Sequence, residues 1–327
     1  MDFTLPESAQ TVAALAAEVL ASADPWKELA RAGLLDVSSL GVLDLAVLLT
    51  EIGRRATPVP GLATLMTGAL PVLRWGSDQL KEDLLPGVAS GELLLTAALR
   101  EPSTPQPAPP ATTITNGTLT GTKVGVPYAE QSHLVLVPAR LSAPGVALVS
   151  PHAAGVELTR TPSASGALEF TLRMDEAPLT GMLGGADCVR DLYQLAVAGA
   201  CALADGAVAG ALALTRDYVA TREQFGRPLA AFQAVSQQIA DVYIASRTMH
   251  LATLSACWRL GTGLDAVADL GVAGHWCAEQ APRSVRLCHH LHGGIGMDVT
   301  YPLHRFSSLA ADLARFLGGA ALPCSST

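Results

Sequence analysis

Charge is scarce in this 327-residue chain: Asp, Glu, Lys and Arg together make up 15%, against about 25% in an ordinary soluble domain. Mean hydropathy is positive, at +0.34, so much of the chain must be covered by packing or by other chains. That predicts an obligate oligomer. Basic residues are outnumbered 21 to 29, for a net charge of −8, and no run of Lys and Arg could neutralise successive phosphates. Nucleic acid is therefore not an expected partner. Cysteine occurs only singly (Cys188, Cys201, Cys257, Cys277, Cys288, Cys324), without a Cys-x-x-Cys pair, and all but one fall in apolar or helical surroundings. Reduced, buried thiols in a cytoplasmic protein are the expectation. The opening MDFTLPESAQ lacks the cationic start and apolar core of a secretory signal. Leu195 to Leu214 approaches membrane-spanning length, but Asp205 interrupts it and Ala and Gly dominate, which predicts a buried bundle helix and no membrane contact.

The length allows two domains or one large one, and the residue pattern changes twice along it. Up to about residue 92 apolar residues recur at helical spacing. Val12, Leu15, Ala16, Val19 and Leu20 form one stripe, and others run over Trp26–Leu34, Val42–Ile52 and Leu62–Trp75. Pro6 and Glu7 suit a first helical turn, and Ser77 suits the cap of a helix beginning at Asp78. Residues 93–185 carry short runs rich in Thr, Val and Leu, separated by Pro, Gly, Asn and Ser, which predict a β domain. The proline-rich stretch Glu101–Thr112 reads as an extended loop at the sheet's edge. Residues 186–327 return to long helices, at about 187–220, 229–261, 264–293 and 304–317, predicting a helical bundle. No internal repeat is visible.

Two segments could carry chemistry. In Thr221-Arg-Glu-Gln-Phe-Gly-Arg-Pro-Leu229 a helix is expected to stop at Gly226, and Pro228 to limit the turn, so that Arg222, Gln224 and Phe225 stand at a helix–helix corner. The planar fork of Arg suits a diphosphate, Gln both donates and accepts, and Phe offers a stacking face. An Arg–Glu pair of no functional meaning is the competing reading of the same corner. In Cys288-His-His-Leu-His-Gly-Gly-Ile-Gly-Met297 a helix ends in Gly293-Gly294, where bare backbone N–H groups can meet a ligand. His289, His290 and His292 point in different directions on a helix and lack a further ligand at metal spacing, so no metal is expected.

In this order and spacing the two segments resemble the acyl-CoA dehydrogenase family over essentially the whole chain, and the helix–β–helix order matches. The resemblance implies an α+β fold with an N-terminal helical domain, a middle β domain and a C-terminal four-helix bundle. It also implies that the corner and the Gly-Gly turn reach across a subunit interface to hold the ADP part of a neighbour's FAD. On that basis Arg222 binds the pyrophosphate and Gln224 and Phe225 line the cofactor. Gln233 sits on the following helix, Gly293 and Gly294 approach the dinucleotide, and His290 takes the slot where the family usually has Gln.

The departures point the same way. Where the family carries Thr-Glu-Pro-Gly-x-Gly-Ser-Asp to bond flavin and substrate, this chain reads Arg100-Glu101-Pro102-Ser103-Thr104-Pro105-Gln106-Pro107. Gly125-Val126-Pro127 replaces the Trp-Ile-Thr that shields the flavin ring. The family's reaction removes an α-proton and a β-hydride, so it needs a carboxylate base. Neither usual source is present: the alternative position falls near Ala196, and the chain ends LARFLGGAALPCSST. Glu101, Glu223 and Asp205 are the carboxylates left, Asp205 most simply a paired core charge, and no catalytic residue is assigned. With HHLHGGIGMDVTYPLHRF and GTKVGVPYA, the chain resembles the small subunit of actinobacterial heterotetrameric enzymes that shorten a steroid side chain. The resemblance implies an α2β2 assembly in which a larger homologous subunit carries the base and most of the acyl-CoA pocket. A homo-oligomeric flavoenzyme with a relocated carboxylate, and a flavin-free structural partner, are the alternatives.

Overall fold

A computed structural model describes residues 3–103 and 109–318. The N-terminal third is helical, with α1 (Glu7–Val19), α2 (Pro25–Arg31), α3 (Val42–Arg55), a π-helical segment (Leu62–Ala69) leading into α4 (Leu70–Trp75), and α5 (Asp78–Ala89). The caps follow from local chemistry. Asp24 accepts from the backbone of Lys27, Ser77 Oγ accepts from Leu80 N at 3.3 Å, and Asp44 reaches back to the amide of Gly41 at 2.9 Å. Pro6 flanks α1 as its cap and Glu7 is the first helical residue, one position later than the sequence suggests.

Eight strands form one sheet: β1 (Leu95–Ala97), β2 (Thr113–Thr115), β3 (Thr118–Pro127), β4 (Leu134–Arg140), β5 (Pro144–Val149), β6 (Val156–Thr161), β7 (Glu169–Pro178) and β8 (Gly181–Gly184). The order is β6-β7-β3-β2-β4-β5-β8, with β1 parallel to β4 off that path. The long antiparallel pair β3–β7 has two register shifts, one of them between Lys123 and Val126, next to Gly125 at φ +63°. Such irregularities bend a strand and re-aim its side chains. β8 was not evident in the sequence, because its four residues are mostly Gly and Met with no alternation.

Four helices complete the molecule: α6 (Ala186–Thr221), α7 (Gln233–Gly261), α8 (Val267–His292) and α9 (Leu303–Gly318). By length and composition α6 could cross a membrane, yet 89% of its most apolar window is buried inside the protein. Glycines let it pack that closely. A methyl on Gly206 would sit 2.0 Å from the Thr50 carbonyl of α3, and one on Gly53 would sit 2.2 Å from the Leu203 carbonyl of α6. Asp205, buried within α6, is paired as expected, its Oδ2 lying 2.7 Å from His250 Nδ1 on α7. The five cysteines among the described residues are free and buried, and burial raises the thiols of Cys188 and Cys257 to about 12. Cys324 lies outside the described residues.

Candidate functional site

α6 ends at Thr221, five residues before the expected stop at Gly226, because the next residues pair with each other. Glu223–Gln224 (β9) and Arg227–Pro228 (β10) form a two-residue hairpin whose central residues, Phe225 and Gly226, both have left-handed backbones, φ +54° and +76°. A tight hairpin turn demands such angles at both centres, and Gly meets the demand at no steric cost. The hairpin is tied down at its root. Arg222 N donates to Tyr218 O and Leu229 N to Arg222 O, each at 2.8 Å. A short 3-10 turn (Leu229–Ala231) then leads into α7, whose first residue is Gln233.

This geometry turns the side chains outward. Phe225 is 90% exposed and meets Phe232 edge-on with ring centroids 6.2 Å apart, while the Arg227 guanidinium covers the Phe232 ring at 4.1 Å. Arg222, Gln224 and Gln233 are also exposed. Arg222 forms no ion pair with Glu223 or with any other described residue, so the expectation of an ordinary surface pair at this corner is not met.

The second segment lies beside the first. The ring of His292, the last residue of α8, stacks on Tyr218 of α6 at 4.4 Å and 17°, and the Tyr218 hydroxyl donates to His292 O at 3.4 Å. His292 is further held by Cys288 O at 2.8 Å and the Tyr301 hydroxyl at 2.9 Å. Burial pushes its imidazole below the usual histidine range. Since Tyr218 also anchors Arg222, one aromatic pair brings the hairpin and the Gly-Gly turn together. Nothing in the sequence marks this pair: Tyr218 is one of two widely spaced tyrosines on an Ala-rich helix, and His292 stands among other histidines that suggest a metal.

At the turn, Gly293 has φ +61° and ψ −139°, a backbone that glycine alone adopts readily. An added Cβ at Gly293 or Gly294 would meet nothing within 4 Å, so bare, exposed backbone faces open space there. His290 is exposed one turn earlier. Among the described residues no three His, Cys, Asp or Glu side chains lie together as a metal cluster. What the surface offers is a free guanidinium, an amide, an imidazole, an aromatic face and uncovered backbone, a set suited to a diphosphate and a flat ring.

The chain's own centre is different. Glu101 is no free carboxylate. Its oxygens accept from Ala111 N (2.7 Å), Thr112 N (2.9 Å), Thr112 Oγ1 (2.6 Å) and Lys123 Nζ (2.7 Å), and Lys123 donates again to Pro138 O at 2.8 Å. Burial alone would raise this carboxyl, but the ammonium and the three other donors outweigh it and hold it down at about 2. The proline-rich stretch is thus closed on itself through Glu101, not merely laid along an edge, although residues 104–108 fall outside the described part. Arg100, Gly125 and Pro127 line a cavity of about 550 Å³ between the N-terminal helices, the sheet and α9. Gly125 and Pro127 offer neither a stacking ring nor a hydroxyl. At these two positions nothing can stack on or bond an isoalloxazine, although Tyr128 and Ser165 line the same cavity.

Comparison with known proteins agrees with this organisation. The acyl-CoA dehydrogenase N-terminal domain matches residues 2–92 and the acyl-CoA dehydrogenase C-terminal domain residues 193–321. Acyl-CoA dehydrogenase FadE28 of Mycobacterium tuberculosis is 46% identical over 98% of this chain and 96% of its own length. Among solved structures, the ChsE4-ChsE5 complex of M. tuberculosis superposes with a TM-score of 0.90 at 30% identity, covering 97% of this chain and 95% of that one. A variant of the Tcur3481-Tcur3483 steroid ACAD gives 0.89 at 34%, with the same coverages. The chain belongs to the acyl-CoA dehydrogenase family of oxidoreductases.

Proposed function

We propose that this chain is the FAD-clamping, base-lacking subunit of a heteromeric acyl-CoA dehydrogenase, acting on a steroid side-chain CoA thioester whose pocket lies mainly in a larger homologous subunit. One observation carries the reading: Arg222, Gln224, Phe225, Gln233 and His290 face outward beside the bare Gly293-Gly294 backbone, while Gly125 and Pro127 give the chain's own centre neither ring nor hydroxyl for a flavin. Bound FAD supplies the acceptor for the β-hydride. This chain supplies position and charge: Arg222 at the pyrophosphate, Gln224, Phe225, Gln233 and His290 around the ADP part, and Gly293-Gly294 as backbone that a dinucleotide can approach. Among the described residues no carboxylate stands free for the α-proton: Glu101 and Asp205 are paired, Glu223 lies on the exposed hairpin, and Glu169 and Asp312, which line the central cavity, are held by Arg315. Support for an unlike partner and a steroid substrate comes from the ChsE4-ChsE5 complex and the two-component steroid ACAD.

Arg222→Ala tests the clamp. Losing a charge-assisted contact costs about 1.5–3 kcal/mol, so the purified complex should lose flavin, read as absorbance per complex, while its size on gel filtration is unchanged. Unchanged flavin occupancy would leave the chain a structural partner only.

A further inference from the structure

The cavity beneath α9 is lined mostly by apolar side chains, among them Leu99, Leu203, Leu309 and Phe316. At about 550 Å³ it falls within the range of pockets that enclose small organic ligands. Its charged groups are unevenly matched. Both oxygens of Glu169 are taken by Arg315 Nη2 at 2.8 Å, and Arg315 also lies 3.4 Å from Asp312. Asp312 is itself held by the amides of Ala164 and Ser165, each at 2.9 Å. Arg100, half-buried on the same wall, has no carboxylate within ion-pair distance among the described residues; its backbone pairs with Val124 and its guanidinium is left over. Burial, and after it the neighbouring Arg315, press its charge downward, and Glu169, too far for an ion pair, offsets this only in part. A guanidinium partly withdrawn from water and unmatched by the protein is a binding determinant for a planar anion, which its fork can meet with two parallel hydrogen bonds.

From this juxtaposition we infer that the cavity is a second, non-catalytic binding site for an apolar monocarboxylate, its carboxylate on Arg100 and its hydrocarbon body against α9. The site goes beyond the clamping role and does not depend on it. A carboxylate rather than a phosphate is indicated because Arg100 is the partly buried unpaired cation of this wall, Arg305 being exposed to water, and Glu169 and Asp312 line the same cavity and would repel a dianion. Tyr128 lines the same wall in a left-handed backbone conformation, φ +53°, which a bulky residue rarely holds and which recurs at ligand-binding sites.

The test is calorimetric titration of the full chain, purified with its partner, with lithocholate, palmitate and the neutral steroid progesterone. Saturating enoyl-CoA product keeps the partner's acyl pocket filled. Lithocholate or palmitate should bind at one site per copy of this chain, with affinity falling about 10- to 100-fold in Arg100→Met and only partly restored in Arg100→Lys, which keeps the charge but not the fork. Progesterone should be insensitive to either change. Which acid binds tighter tells whether a ring system or a linear chain is the intended body. No saturable binding of either acid, or equal affinity for wild type and Arg100→Met, overturns the inference. Flavin content is read on the same samples. A yellow complex that binds no acid sinks the second site alone, and a colourless complex that binds acid sinks the clamp alone.

Discussion

The carboxylate of Glu101 is engaged in closing a loop, and that decides what it cannot do. Four donors hold it, three on Oε1 and one on Oε2, and they make it too weak a base to draw a proton from a substrate. Its folded titration lies at about 2 against an ordinary 4.5, so the stability it contributes is complete above about pH 4.5 and is lost as pH falls toward 2. Glu101→Leu should cost about 3–5 kcal/mol, because it strands the Lys123 ammonium in the interior. Glu101→Leu combined with Lys123→Met should recover much of that. Chemical denaturation at neutral pH checks both, and a single variant within 1 kcal/mol of wild type, a difference of about the size ordinary surface changes make, would remove Glu101 from this role. The sequence showed Glu101 as one of three leftover carboxylates. Its partners, Lys123 on another strand and Thr112 across a proline-rich loop, become neighbours only through the sheet. Asp205 was legible as a paired core charge because an apolar helix leaves it no alternative. Arg222, Gln224 and Phe225 were legible as a group because they fall within four successive residues.

At the scale of elements, helix length and order could be read from periodicity, while junctions could not. The ends of α7 and α8 fall within a few residues of the expected ones, since apolar spacing and the closing glycines mark them. The end of α6 agrees with the segment 187–220, but the stop placed at Gly226 overlooks a two-residue hairpin that leaves almost no pattern, and the stretch Leu62–Ala69 reads as ordinary helix although it is wound more loosely. The tight α3–α6 crossing was also invisible, since a glycine in an apolar helix can mean either a defect or a contact. Here it means contact. Gly206→Val should lower the melting temperature by several degrees or prevent folding, because the new side chain would have to enter the space held by the backbone of Thr50 and Arg54. Gly271→Ala on α8, where an added Cβ meets nothing, should be neutral or mildly stabilising. Equal melting curves for Gly206→Val and wild type would contradict the close crossing.

On the scale of the whole molecule, low charge content is matched by apolar side chains left at the surface. Tyr243 and Ile244 on α7, Val272 and Trp276 on α8, and Met297 and Val299 beyond the Gly-Gly turn are all exposed, alongside Phe225. Large exposed apolar side chains gathered on the elements that present the clamp are what an interface with another chain requires. Expressed alone, the chain is expected to be poorly soluble or colourless; expressed with its homologous partner, it should give a yellow, active complex. The most direct measurement is the count of FAD per complex, from flavin absorbance and the mass of the co-purified assembly by light scattering. One FAD for each unlike pair is the predicted result. Two per pair, or a flavin-loaded and active oligomer of this chain alone, would contradict the account.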